Sequence, residues 1–126
     1  MSDVTTPFDD PQAELGWMFI QCVSGDGALD EAFSLLSDDF THWSNRTGRE
    51  SGAAEFHRIL DAAMARTDFE FHLTRCVNDN ESTVIEAEAE TVDPDGARRL
   101  TPVVFIFDTH DGLITSLREY GESPWS

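Results

Sequence analysis

One carboxylic acid stands out among the 126 residues by the company it keeps: Glu119, in the run Leu113-Ile-Thr-Ser-Leu-Arg-Glu-Tyr120. A strand places alternate side chains on opposite faces, so Leu113, Thr115, Leu117 and Glu119 are expected on one face and Ile114, Ser116, Arg118 and Tyr120 on the other. If the Leu113/Leu117 face lines an interior, Glu119 is a carboxylate in apolar surroundings, the setting in which a carboxyl group serves as a general acid or base. The plain alternative is an edge-strand Glu paired with an Arg in solvent.

Arg75 is the second candidate. It continues the Phe69/Phe71/Leu73 face and is expected opposite Ile85. An Arg on an apolar face needs a carboxylate, and Glu119 is an inward one. Paired with Arg75, Glu119 stays ionised and acts as a base; unpaired, it acts as an acid. Glu86, Glu88 and Glu90 alternate with Ile85, Ala87 and Ala89. Such acids lie about 7 Å apart along a strand and cannot converge on a cation without help, so this reads as a solvated outer face. If Phe71 pairs with Ala89, His72 lies opposite Glu88 and balances that ladder. His57 and His110 read as surface or interface residues. Cys22 and Cys76 show neither a disulfide framework nor a metal pattern and are expected as buried free thiols. Phe19, Phe56, Met64, Phe71, Phe105, Phe107 and Leu117 could line a ligand cavity, although aromatic residues at such spacing also make ordinary core.

The elements that must position these groups change character halfway along the chain. Asp10-Pro11 suits a helix start, with Asp as N-cap and Pro at the first helical position; Leu15, Met18, Phe19, Cys22 and Val23 then recur at helical spacing until Ser24-Gly25-Asp26-Gly27. A second helix is expected over about 28–37 and a third over about 53–66, the latter with Phe56, Ile59, Leu60, Ala63 and Met64 in one stripe. Between them the pattern predicts a short strand over 40–44 and a turn at Asn45-Arg-Thr-Gly48. After Asp68 everything alternates: strands around 69–77 and 84–92, a turn at Asp93-Pro-Asp-Gly96, a strand centred on Val103 to Phe107, a turn at His110-Asp111-Gly112, and the Glu119 strand. Helices first and an antiparallel meander after, with one early strand, predict a single α+β domain over 1–126 with a loose tail at 1–8.

Composition narrows the partners. The chain holds 25 acids against eight Arg and no Lys, a formal charge of −17. Nucleic acid and anionic membranes require basic patches that this sequence does not supply, so neither is expected. A salt-rich cytoplasm would favour such an acidic, lysine-free surface, and a GC-rich genome also replaces Lys by Arg. With 40% hydrophobic residues and nine Phe, the chain must nonetheless form a core. No apolar run approaches the roughly 18 residues of a membrane span, and residues 1–10 have neither a basic nor an apolar stretch, which points to a cytoplasmic protein.

The block Leu36-Ser-Asp-Asp-Phe-Thr-His-Trp43, Thr47-Gly48-Arg49, Val84-Ile85-Glu86, Asp111-Gly112-Leu-Ile114 and Arg118-Glu119-Tyr120, in this order and spacing, resembles the nuclear-transport-factor-2-like, or SnoaL-like, superfamily. The resemblance implies a cystatin-like cone, with three N-terminal helices packed in a curved, mostly antiparallel sheet around a pocket, and a homodimer built on the sheet's outer face. It implies no single reaction, since the superfamily includes ketosteroid isomerases, polyketide cyclases, limonene epoxide hydrolases and non-catalytic modules. Leu117-Arg118-Glu119-Tyr120 is similar to the acid-bearing segment of the epoxide hydrolases, and Trp43-Ser44-Asn45 to their water-holding pair, with Trp for Tyr. Their Arg and second acid would fall on Ala87 and Ala89, which cannot perform those roles. The catalytic Asp of the isomerases would fall on Ser44. A cyclase needs mainly one pocket acid-base group, which Glu119 could be. Of the adjacent His42 and Trp43 only one can face the pocket, and the resemblance favours Trp43. The resulting expectation is a pocket for a small hydrophobic or polyketide-like molecule, with Glu119, Asn45 and Arg75 as catalytic groups and Trp43, Phe19, Phe56, Met64, Phe71, Phe105 and Leu117 as lining. No cofactor or metal is expected.

Overall fold

The computed structural model describes residues 11–24, 28–79 and 81–125. The expected Asp10 cap, the 1–8 tail and the Gly25-Asp26-Gly27 helix end lie outside them. The elements run α1 (Pro11–Cys22), α2 (Leu29–Phe33), β1 (Leu36–Ser44), β2 (Glu50–Gly52), α3 (Ala53–Arg66), β3 (Phe69–Asn78), β4 (Ser82–Val92), β5 (Arg98–His110) and β6 (Leu113–Gly121). The six strands form one sheet in the order β2-β1-β6-β5-β4-β3. β3 to β6 are an antiparallel meander, and β1 joins its far side by pairing in parallel with β6. Among the described residues this is an α+β architecture of three helices and a six-stranded sheet, and none of these helices is long and apolar enough to cross a membrane.

Helix α3 occupies the expected span, with Phe56, Leu60 and Ala63 buried. Helix α2 is only five residues long, and the strand after it starts at Leu36 instead of 40. Strand pairing explains this: Leu36 joins Ile114 of β6, and Leu35 accepts from the Ile114 amide at 2.8 Å, which outweighs the local helical preference of Leu35-Leu36. The short strand β2 pairs Gly52, Ser51 and Glu50 with Thr41, His42 and Trp43, a pairing the sequence pattern did not announce. Helix α1 lies directly on the sheet, where a Cβ added to Gly16 would come within 2.7 Å of the Phe107 ring, so glycine permits the close approach. Of the expected stripe, Phe19 and Val23 are buried and Leu15 and Cys22 pack half-buried against the core, with Ala13 and Ile20 buried beside them, whereas Met18 is 44% exposed.

In the meander, Thr83, Ile85, Ala87 and Ala89 of β4 and Val103, Phe105, Phe107 and Thr109 of β5 point to the helix side. The β5–β6 turn is made by Asp111 and Gly112, both at positive φ (54° and 78°), the geometry that a two-residue hairpin requires. Two bulges break the alternation. In β3 the register shifts between Leu73 and Arg75, so Arg75 lies opposite Glu86, Cys76 takes the inward place opposite Ile85, and Arg75 is exposed. In β6 the register shifts beside Thr115, so Ile114 and Leu117 are both buried while Leu113 is 37% exposed. A bulge inserts one residue and inverts the face of what precedes it. Leu113 therefore does not share the face of Glu119; Ile114 does.

Candidate functional site

Glu119 is completely buried. Its place follows from strand phase: beyond the bulge, Leu117 and Glu119 alternate inward on β6, and Glu119 lies between Phe105 of β5 and Ser44 of β1. On β1 the same alternation turns Phe40, His42 and Ser44 inward. His42 is 5% exposed, and its Nε2 hydrogen-bonds Glu119 Oε2 in a very short contact. Trp43, expected at the pocket, lies on the opposite face, where it packs on Tyr120 with Arg118 above both rings.

The chain after β6 completes the surroundings of the carboxylate. Gly121 sits at φ 109°, and a Cβ there would meet the Pro102 carbonyl oxygen at 2.8 Å, so only glycine makes this turn. The turn is pinned by Asn45, whose Oδ1 accepts from the Gly121 amide at 3.1 Å. It sends Ser123 and Trp125 back over Glu119: Ser123 Oγ donates to Oε1 at 2.7 Å and Trp125 Nε1 donates to Oε2 at 2.5 Å. Three donors thus converge on two oxygens. In the Nε2–H tautomer of His42 the carboxylate accepts at both oxygens and Nδ1 is the lone-pair nitrogen.

Nδ1 of His42 is buried, and among the described residues it has no hydrogen-bond partner. The ring stacks face to face on Phe56, with centroids 3.9 Å apart and planes within 9°. His42 also borders a cavity of about 50 Å³, together with Ser44, Thr47, Arg49, Ser51 and Trp125, with Ile59 as its aliphatic member. That space admits a few heavy atoms. Part of its wall is the exposed turn after β1, where Gly48 at φ 66° donates to the Ser44 carbonyl at 2.7 Å and brings Thr47 and Arg49 back towards the strand.

The residues singled out from sequence thus separate. Glu119 is central. Asn45 donates its amide N–H to the Glu119 carbonyl at 3.1 Å, but its side chain serves the Gly121 turn instead of the carboxylate. Arg75 is exposed beyond the β3 bulge and is not among the Glu119 partners. Phe19, Phe56 and Phe105 are fully enclosed, Leu117 is buried with them, and Phe71 is 5% exposed. These rings pack on one another and on Trp125, which lies against Phe56, Phe69, Phe71 and Phe105 at 5.5–6.2 Å between centroids. Met64 packs half-buried against the same core. Sequence reasoning passed over Ser123, Trp125 and Arg49, and set His42 aside. The available signal was Gly121-Glu-Ser-Pro-Trp125, an aromatic residue just after a turn and within reach of the strand's acid.

The outer face behaves as read. His72 lies opposite Glu88 and bonds Glu90 at 2.7 Å, and Arg98 also bonds Glu90. These two partners hold the Glu90 carboxyl below its ordinary range. Cys22 and Cys76, expected as buried free thiols, are free but only half-buried; that burial still raises both thiols above their ordinary range, Cys22 with a further push from Glu31. No group of acids, histidines and cysteines among the described residues is arranged to hold a metal ion.

Structures of the same fold are numerous. One is a hypothetical protein of ketosteroid-isomerase-like fold from Catenulispora acidiphila, solved with trimethylamine (TM-score 0.75, 18% identity, 94% of this chain and 88% of that one). Another is a limonene-epoxide-hydrolase-like enzyme from Mycobacterium tuberculosis (0.74, 20%, 89% and 83%). A third is a SnoaL-like polyketide cyclase, so described, from Shewanella putrefaciens (0.78, 11%, 96% and 91%). No curated protein sequence matches. At such identities the likeness establishes the fold alone. The SnoaL-like domain family itself matches residues 18–117, from the middle of α1 to the strand that carries Glu119. The chain therefore belongs to the SnoaL-like domain family.

Proposed function

We propose that the protein is an acid–base catalyst of the isomerase or cyclase kind, acting on a small, largely hydrophobic carbonyl compound, in which His42 moves the proton and Glu119 holds the imidazole. One observation carries this reading: a buried imidazole bonded through Nε2 to a buried carboxylate, with Nδ1 left without a partner among the described residues, in a residue that borders a cavity. Burying polar atoms without partners is unfavourable by about 1–3 kcal/mol, and a functional site is a common reason to keep one.

The chemistry follows from the geometry. Nδ1 takes a proton from the carbon next to the substrate carbonyl, and the C–H electron pair passes into an enolate. The imidazolium then carries N–H on both nitrogens, one facing Glu119, which supplies the balancing charge without taking up the proton. Returning the proton to a different carbon isomerises the substrate. If the enolate carbon first bonds a second carbonyl of the same molecule, returning the proton to the new alkoxide completes a cyclisation. Access to Nδ1 requires the cavity wall to yield, and the exposed Thr47–Arg49 turn is its least packed part. A pocket inside a cone-like sheet and a homodimer on the outer face belong to the same proposal and are supported by family membership. Epoxide opening by paired acids and an arginine has no support, since Ala87 and Ala89 face the core at 3% and 1% exposure.

The enclosed aromatic interior favours a second reading, a non-catalytic ligand-binding module in which these side chains fill the space themselves. Proton exchange separates the two. In D2O, a catalyst of this kind accelerates deuterium incorporation next to the carbonyl of small ketones such as butanone and cyclohexenone, read by proton NMR. His42→Gln keeps an N–H able to reach Glu119 but removes Nδ1, and exchange should fall by about 10² or more. Native protein that binds these ketones without exchanging them would establish the binding module.

A further inference from the structure

We infer that the His42 cavity is built for a substrate carrying a carboxylate, and that Arg49 is the residue that selects it. This rests on the acid–base reading of the same site and names the substrate class. Among the described residues the cavity's lining includes Arg49, which carries a guanidinium, and Ser44, Thr47 and Ser51, which carry hydroxyls, and it includes no Asp or Glu.

Charge pairing elsewhere sharpens the point. Arg46 reaches Glu122, Arg58 Glu55, Arg98 Glu90 and Arg99 Asp93. Arg118 lies over Trp43 and Tyr120. Arg49, like Arg66 and Arg75, has no carboxylate within ion-pair distance among the described residues, but of these three it alone borders the His42 cavity.

The hydroxyls are set to donate. Ser44 Oγ accepts from the Arg46 amide and Thr47 Oγ1 from the Arg49 amide, each at 3.2 Å. Those bonds use oxygen lone pairs and leave the hydroxyl hydrogens for a ligand. A planar guanidinium with neighbouring hydroxyl donors matches a carboxylate, which accepts at two oxygens. A carboxylate held at Arg49 would leave the adjoining carbons of the same molecule towards His42, which borders the same space.

The test compares butyrate with butyramide, equal in shape and different in charge, by following the His42 imidazole in nitrogen-15 NMR. Native protein should bind butyrate at least tenfold more tightly than butyramide, Arg49→Gln should bring the two within twofold, and Arg49→Lys should keep part of the preference. Arg49 is exposed, so the variants should fold normally; the urea midpoint of each checks this. Equal binding in the native protein, or a preference that survives Arg49→Gln, would overturn the inference. If butyramide shifts the His42 signals and butyrate is not preferred, the anion site alone fails and the acid–base reading stands. If neither probe shifts His42, both fall.

Discussion

Replacing Glu119 tests how the site is held together, and Gln and Ala test different things. The carboxylate is fully buried and receives three hydrogen bonds, from His42 Nε2, Ser123 Oγ and Trp125 Nε1. In Glu119→Gln the amide oxygen must take the Oε2 place, because Trp125 and His42 both donate there; the amide nitrogen then faces Ser123 Oγ, a hydroxyl that can turn round and accept. All partners stay satisfied. Three charge-assisted bonds become neutral ones, a loss of about 1 kcal/mol each, while the several kcal/mol that desolvating a carboxylate costs is removed. The two effects nearly offset, so Glu119→Gln should change unfolding free energy by less than about 2 kcal/mol. Glu119→Ala leaves three buried donors without an acceptor at about 1–3 kcal/mol apiece, and should lose on the order of 5 kcal/mol. Urea unfolding followed by tryptophan fluorescence measures both, with an unchanged slope confirming that the same surface is exposed. In the deuterium-exchange assay Glu119→Gln should be slower than native by about 10², equivalent to about 2.7 kcal/mol of transition-state stabilisation, since the imidazolium loses its balancing charge. Equal stability of the Ala and Gln variants would refute the three-donor account. Native exchange rates in Glu119→Gln would remove Glu119 from the mechanism.

Two further outcomes follow from the sheet's outer face. His72 and Arg98 depress the Glu90 carboxyl, so its pairing contributes stability above the ordinary Glu value of about 4.3 and loses it as pH falls from there through the lower folded-state value. The melting-temperature difference between native protein and Glu90→Gln should therefore shrink below about pH 4.3, and a difference independent of pH would refute the pairing. A homodimer on the outer face should give a scattering mass of twice the 14.1 kDa chain, and should strengthen as salt screens the charge of −17. A mass of one chain at all salt concentrations would exclude it.

What the sequence disclosed tracks the range of the interactions involved. Helix α3 and the Asp111-Gly112 hairpin were legible because periodicity and turn chemistry are local. The inward Glu119 was legible as well, because Leu117 and Glu119 follow simple alternation. Arg75 and Leu113 were misplaced because bulges leave no clear local signature: nothing in Leu73-Thr-Arg-Cys76 announces the extra residue that turns Arg75 out. His42 was passed over for Trp43 because both sit on one strand and only the strand's pairing decides which faces inward. Ser123 and Trp125 were missed for a related reason. Their role depends on Gly121 turning the chain across β5, which spacing alone does not reveal.

The parallel pairing of β1 with β6 bears on how the protein acquires its site. His42 and Glu119 are 77 positions apart in sequence, whereas the hairpins joining β3 to β6 close over short spans. Forming contacts between distant segments requires a larger loss of chain entropy, so the meander can assemble ahead of β1. Until β1 docks, Glu119 lacks both His42 and the Asn45 hold on the Gly121 turn, and Trp125 has neither a pinned path nor the Phe56 ring that α3 brings. The acid–base pair is thus among the last features to form on refolding. Competence to move protons should appear with the docking of β1 and lag behind the growth of the sheet.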